Sequence, residues 1–216
     1  MKKIIFLIVL GIATATGFIV ADRYFSDSDI STESEFVVPT AMANPYPCTM
    51  TLSQATEKAS FAFKVPKSIP STHSIQDALA DEGEVSLYYA AGPMCGEGAK
   101  YKTFEDGVIQ YSTANAQSSK VEIIAQGEEY FKEYKANAPI PEKVKLFQIN
   151  GMPAMGWESG MRKSFVIDSD GTVIDEKDIP HPAQIRVVDP NNQVIYMLKG
   201  NLTLEQMKGI MSYTLS

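Results

Sequence analysis

An unbroken apolar run from Ile4 to Ala21 constrains this chain more than any other feature. Wound as a helix at about 1.5 Å per residue, it is about 27 Å long, close to the hydrocarbon thickness of a bilayer. No charge interrupts the run, and a helix is the economical backbone in lipid because it satisfies its own polar groups. Lys2 and Lys3 precede it, and Asp22 and Arg23 end it. Basic residues before the run predict that the N-terminus stays inside and that the rest of the chain lies outside the cytoplasm. Residues 1–21 are therefore read as an N-terminal signal anchor or a signal peptide. An uncleaved anchor gives a single-pass membrane protein. Cleavage would release a secreted domain, but the small residues Ala13-Thr14-Ala15 lie too early, and a cut after Ala21 sets Ile19 where a small side chain is preferred.

Residues 22–47 read as a flexible acidic stalk. Serines 26, 28, 31 and 34 alternate with Asp27, Asp29, Glu33 and Glu35, a composition with too little apolar surface to offset the entropy of ordering. Pro45 and Pro47 mark its end. Residues 48–216 are then one extracytoplasmic domain, long enough to bury a core. The formal net charge is -7. That balance argues against nucleic acid and against peripheral binding to anionic lipid. The expected partners are the membrane, through the N-terminal helix, and a protein or lipid ligand.

Cys48 and Cys95 are too few for a disulfide framework but suit one bridge in an oxidising compartment. Two unpaired thiols remain the alternative. Both histidines, His73 and His181, sit in loop sequence and read as surface residues. No nucleophile-elbow, zinc-protease or phosphate-loop pattern is present, so the reading is non-enzymatic, with no cofactor and no metal. Asp168 and Asp170 followed by Gly171 match only a fragment of a calcium loop. Met94, Met152, Met155 and Met161 read as packing rather than as copper ligands. Tyr88, Tyr89, Tyr130, Phe131, Tyr134 and Trp157 are candidates to line an apolar groove, with core packing as the competing role. Asn201-Leu202-Thr203 is a glycosylation sequon, although Thr203 also fits a helix cap.

Patterning predicts a helix over 52–60 capped by Thr51, strands over 85–90, 108–112 and 121–126, and a helix over 128–136. Three hairpins come next: 146–149 with 154–158 around Asn150-Gly151, 164–167 with 172–174, and 185–188 with 194–198. Thr203 starts a closing helix whose stripe is Leu204, Met207, Ile210 and Met211. The fold class is α+β: a curved antiparallel sheet with helices packed on one face, preceded by an N-terminal transmembrane or signal helix.

Three stretches then carry a family resemblance. Residues 61–89 (FAFKVPKSIPSTHSIQDALADEGEVSLYY), the Asn150-Gly151 hairpin, and residues 195–207 (IYMLKGNLTLEQM) are similar to the opening, middle and end of the domain of unknown function 4367. The resemblance spans about 52–215. It implies an extracytoplasmic, membrane-tethered domain similar to the half-barrel folds of lipoprotein carriers and anti-sigma-factor regulators. It brings no catalytic residues, and the cytoplasmic zinc-binding module of some members has no counterpart here. The expected function is a membrane-tethered binding or sensory domain without catalytic activity, with a carrier taking an acyl chain into a concave sheet as the closest alternative and a hydrolase with an unrecognised site as a third.

Overall fold

The computed structural model describes residues 48–216 except 97, 101, 139 and 168–172. The expected anchor and stalk lie outside the described residues. Among the described residues, no helix is long and apolar enough to cross a membrane.

Helix α1 (Leu52–Lys58) opens the domain. The Thr51 hydroxyl accepts from the Gln54 amide while the Gln54 side chain accepts from the Thr51 amide, satisfying donors that the first turn leaves bare. An irregular segment with Pro66 and Pro70 comes next, as expected of residues that proline bars from helix. Strands β1 (Ser74–Ala80), β2 (Glu84–Ala90) and β3 (Ile109–Asn115) form a meander. The chain then crosses the sheet through α2 (Val121–Gln126), α3 (Glu128–Asn137) and a 3-10 turn at Pro141–Lys143.

It re-enters at the far edge as β4 (Lys145–Ile149) and β5 (Met152–Trp157). Asn150 and Gly151 have φ of 51° and 80°, as their tight turn requires. After a two-stranded excursion, β6 (Gly160–Ile167) and β7 (Val173–His181), strands β8 (Ala183–Asp189) and β9 (Val194–Gly200) fill the centre. Helix α4 (Leu204–Leu215) closes the domain. The main sheet has seven strands in the order β1-β2-β3-β9-β8-β5-β4, every neighbour antiparallel.

The fold is α+β with a large antiparallel sheet, as the patterning predicts. The helices, however, lie on both faces rather than on one. On the first face α1 and α4 cover Val85, Leu87, Tyr111, Ile185, Val187 and Leu198, with Phe61, Phe63, Val65 and Ile69 of the irregular segment packed alongside. On the second, α2 and α3 bring Ile123, Ile124, Tyr130 and Phe131 onto Met155, Val188, Ile195 and Met197. The reason is topological. The link from inner strand β3 to far edge β4 must cross one face, and it carries two helices with it.

Residues 121–126, expected as a strand, form α2. Ile123 and Ile124 are adjacent and both buried. A strand would send them to opposite faces, whereas a helical turn sends both to the sheet. Strand β1 has no counterpart among the expected elements. It is an edge strand whose register slips between Ile75 and Asp77, which breaks the alternation that marks strands in sequence.

The ribbon of β6 and β7 is longer than the expected hairpin. It prolongs the β5–β8 pair: Trp157 faces Gln184, and then Gly160 faces His181. Its register is unbroken from His181 to Asp175. Strand β7 is exposed from Val173 to Asp178, so both sides of the strand meet solvent.

Candidate functional site

Residues facing each other across an antiparallel sheet share a face, so the register alone assembles the second face in rows. One row reads Asp77, Tyr88, Gln110, Lys199, Gln184 and Trp157. The next reads Leu79, Ser86, Ser112, Met197, Arg186 and Met155. A third holds Ala114, Ile195 and Val188, and these pack with α2 and α3. Polarity therefore rises in steps from the helix-covered rows toward the end of the sheet from which the β6–β7 ribbon leaves.

Hydrogen bonds knit the polar rows together. Ser86 and Ser112 join hydroxyls at 2.7 Å, and Gln110 Nε2 donates to Ser112 Oγ at 3.2 Å. In the orientation that its neighbours require, the Gln184 amide oxygen accepts from Arg186 Nε at 2.8 Å and Nη2 at 3.2 Å. The Arg186 guanidinium also lies 5.7 Å from the centre of the Trp157 ring and 6.0 Å from that of Tyr134. Those two rings stack at 6.2 Å with 14° between their planes. Arg186 is only 6% exposed, and aromatic faces suit a guanidinium because it is planar and weakly hydrated. Burial pushes the Tyr134 phenol above its usual range, and Arg186 partly offsets that rise. Lys199 Nζ sits 4.8 Å from the Phe104 ring centre.

Phe104 belongs to the irregular loop joining β2 to β3, residues 91–108. A loop this long inside a compact domain is uncommon and usually serves a function. Several ties hold it. Cys95 bonds to Cys48, with Cα atoms 4.9 Å apart. Lys102 Nζ donates to the carbonyls of Ala91 (2.5 Å) and Gly92 (3.1 Å). His73 Nε2 meets the Gly107 carbonyl at 2.8 Å. Thr103 donates its amide and hydroxyl to Asp106 (2.8 and 3.0 Å), which holds that carboxyl below its usual value. At the β1 end of the polar row, the Asp77 carboxylate accepts from the Thr49 amide (2.7 Å), the Thr49 hydroxyl (3.2 Å) and the Met50 amide (3.3 Å). The bridge and these bonds anchor the domain's first described residues beside the row.

The aromatic residues singled out from sequence do not line one groove. Tyr89 points into the first-face core, and its neighbour Tyr88 faces the polar row. Tyr130 and Phe131 are buried between α3 and the sheet. Tyr134 and Trp157 meet Arg186. Cys48 and Cys95 are joined, and among the described residues there is no free cysteine.

Met152 packs toward the first face and Met155 toward the second, while Met161 is exposed on the ribbon, so these thioethers do not converge. Asp168 and Asp170 lie outside the described residues. Asn201 is exposed between β9 and α4, and the Thr203 hydroxyl of its sequon is engaged with Gln206 at the helix cap.

Depressions among the described residues include two at the edges of the sheet. One of about 390 Å³ lies at the β1 edge among Thr49, Lys58, Leu79, Asp81, Glu84 and Ser86. The other, about 210 Å³, lies between α3 and the β4–β5 hairpin, against Phe131, Leu146 and Pro153. The polar row left no sign in the sequence, because its six members come from six strands and only the register unites them. Comparison with protein-family models, with curated proteins and with solved structures gives no match.

Proposed function

We propose that this chain is a membrane-tethered, extracytoplasmic binding or sensory domain that carries no catalytic activity. The observation that carries the proposal is the Cys48–Cys95 bridge. A bridge of this kind belongs on the oxidising side of a membrane, and it lies just beyond an apolar run and an acidic segment that read as anchor and stalk. The resemblance to the domain of unknown function 4367 points the same way, and it rests on the quoted residues alone.

The polar row is the proposed binding face. It sets the half-buried Tyr88, Gln110 and Lys199 side by side across the sheet, next to Gln184 and Trp157, which are buried against Arg186, and beside a loop tied down at several points. The half-buried part of that row can meet the polar groups of a protein ligand while the two apolar clusters remain filled by side chains.

The test is topology and extraction of the full chain in its membrane. Retention after an alkaline wash, together with cleavage of residues 48–216 by protease added from outside, is the expected result. Release by the wash, or protection from external protease until the membrane is permeabilised, would overturn the proposal.

A further inference from the structure

We propose that Asn150 is a site of spontaneous covalent modification, deamidation through attack of the Gly151 backbone nitrogen, and that Ser212 holds the reaction back by clasping the Asn150 carboxamide. The sequence places glycine after one asparagine only, Asn150. Asn150 and Gly151 form the whole turn between β4 and β5, and both are exposed. The attacking nitrogen belongs to the residue that follows the asparagine. Glycine leaves that nitrogen uncovered: beyond its two chain neighbours, nothing lies within 4 Å of the place a Cβ of residue 151 would take. Water is the only co-reactant. Gly151 N bonds to Asn150 Cγ, the Cγ–Nδ2 bond breaks, and the proton of the attacking nitrogen leaves with Nδ2 as ammonia. Water then opens the cyclic imide at one carbonyl or the other, giving aspartate or isoaspartate at position 150.

The carboxamide is not free to react. Its Nδ2 donates to the Ser212 carbonyl at 2.8 Å, and Ser212 Oγ donates to its Oδ1 at 3.1 Å. Both polar atoms of the group are thus committed to α4. Carrying Cγ onto the Gly151 nitrogen breaks both bonds, so the opening of this clasp controls the rate.

The same contact gives the modification its consequence. Ser212 is among the last four residues of α4, whose carbonyls a helix leaves for outside donors. Asn150 supplies such a donor from a hairpin 62 residues away in the chain. Aspartate has no side-chain N–H to give, and it sets a negative charge at the negative end of the helix. A cation at this end, Lys64, is already engaged with the carbonyls of Leu215 and Ser216 at 3.0 Å. Isoaspartate adds a carbon to the main chain of a turn whose length fixes the register of β4 against β5. Either product releases the outer hairpin of the sheet from α4.

The test is incubation of the folded full chain in detergent at neutral pH, with residue 150 followed by peptide mapping that separates asparagine, aspartate and isoaspartate. Conversion at Asn150 should run about tenfold or more slower in the folded chain than in the chain unfolded in urea, because two hydrogen bonds must open first. Ser212→Ala removes one of those bonds and suits a helix, so it should speed conversion in the folded chain about fivefold. Asn150→Asp, which the turn itself accepts, should lower the thermal midpoint by about 4 °C. Asn150→Gly keeps the turn and brings no charge, and should lower it by less. Equal rates in folded and unfolded chain, a rate that Ser212→Ala leaves unchanged, no conversion at Asn150 in folded Ser212→Ala, or an Asn150→Asp chain as stable as the wild type would each overturn the proposal.

Discussion

Replacing Cys48 and Cys95 together by serine removes the one covalent tie that closes residues 48–95 into a loop. The sequence separation is 47, and chain-entropy accounting for a loop of that length gives about 4 kcal/mol of stabilisation. That figure is an upper value. Thr49 and Met50 still bond to Asp77 in the reduced chain, and Lys102 still clasps Ala91 and Gly92. These ties restrain the same ends, so a loss of about 3 kcal/mol is expected.

The assay is urea unfolding followed by Trp157 fluorescence, a clean probe because the chain has one tryptophan. With an m-value of about 2 kcal/mol/M, the midpoint should fall by about 1.5 M or more and the slope of the transition should rise somewhat, because the unlinked unfolded chain exposes more surface. Wild-type protein unfolded under a dithiol reductant should show the same shift. A midpoint moving by less than about 0.3 M would refute the idea that the bridge constrains the unfolded chain. A native emission spectrum that changes in the reduced protein before any urea is added would show instead that the bridge holds the polar row in shape.

The packing carries further expected outcomes. Gly156→Ala should cost about 2 kcal/mol or more, since a Cβ there would stand 2.6 Å from the Gln184 carbonyl and 2.7 Å from Leu204 Cδ1; thermal denaturation reads it, and a change near zero contradicts the close approach of α4 to β5. Thr113→Val should stabilise by about 1 kcal/mol, because the Thr113 hydroxyl is buried without a hydrogen-bond partner among the described residues; a loss of stability would reveal a partner. Thr203→Ala should cost about 1 kcal/mol by removing the cap of α4, with Thr203→Ser recovering most of it. Burial raises the phenols of Tyr89 and Tyr111 and pushes that of Tyr196 up to about 12. The protonated phenol is the neutral form and is favoured by the fold. Its contribution is therefore complete below the unfolded value near 10 and is lost as pH rises through about 12. Stability should hold to about pH 9.5 and fall steeply above about pH 10. All ten tyrosines ionising near pH 10 in protein that stays folded would rule this out.

Elements with local punctuation were legible in the chain itself. Thr51 with Gln54 and Thr203 with Gln206 announce two capped helices, Asn150-Gly151 announces a hairpin, and each is in place. The features that escaped depend on partners distant in sequence. Strand β8, Ala183–Asp189, is buried along its whole length although it contains Gln184 and Arg186. A polar-apolar alternation there reads as one wet face, yet the structure covers both. The placement of α2 and α3 opposite α1 and α4 results from β4 entering at the far edge, and no local signal announces where a strand enters. The row from Asp77 to Trp157 is invisible for the same reason. Of the six aromatics singled out from sequence, strand alternation separates Tyr88 from Tyr89, Tyr130 and Phe131 pack between α3 and the sheet, and Tyr134 and Trp157 reach the guanidinium.

The redox state and sidedness of one cysteine pair decide between an extracytoplasmic domain and any other placement. Intact cells expressing the full chain are quenched in acid, alkylated with a mass-tagging maleimide with and without prior reduction, and resolved by electrophoresis. The expected result is no tag on unreduced protein and two tags after reduction by an impermeant reductant applied outside the cells. Two tags on unreduced protein, or a bridge that such a reductant cannot reach, would contradict it.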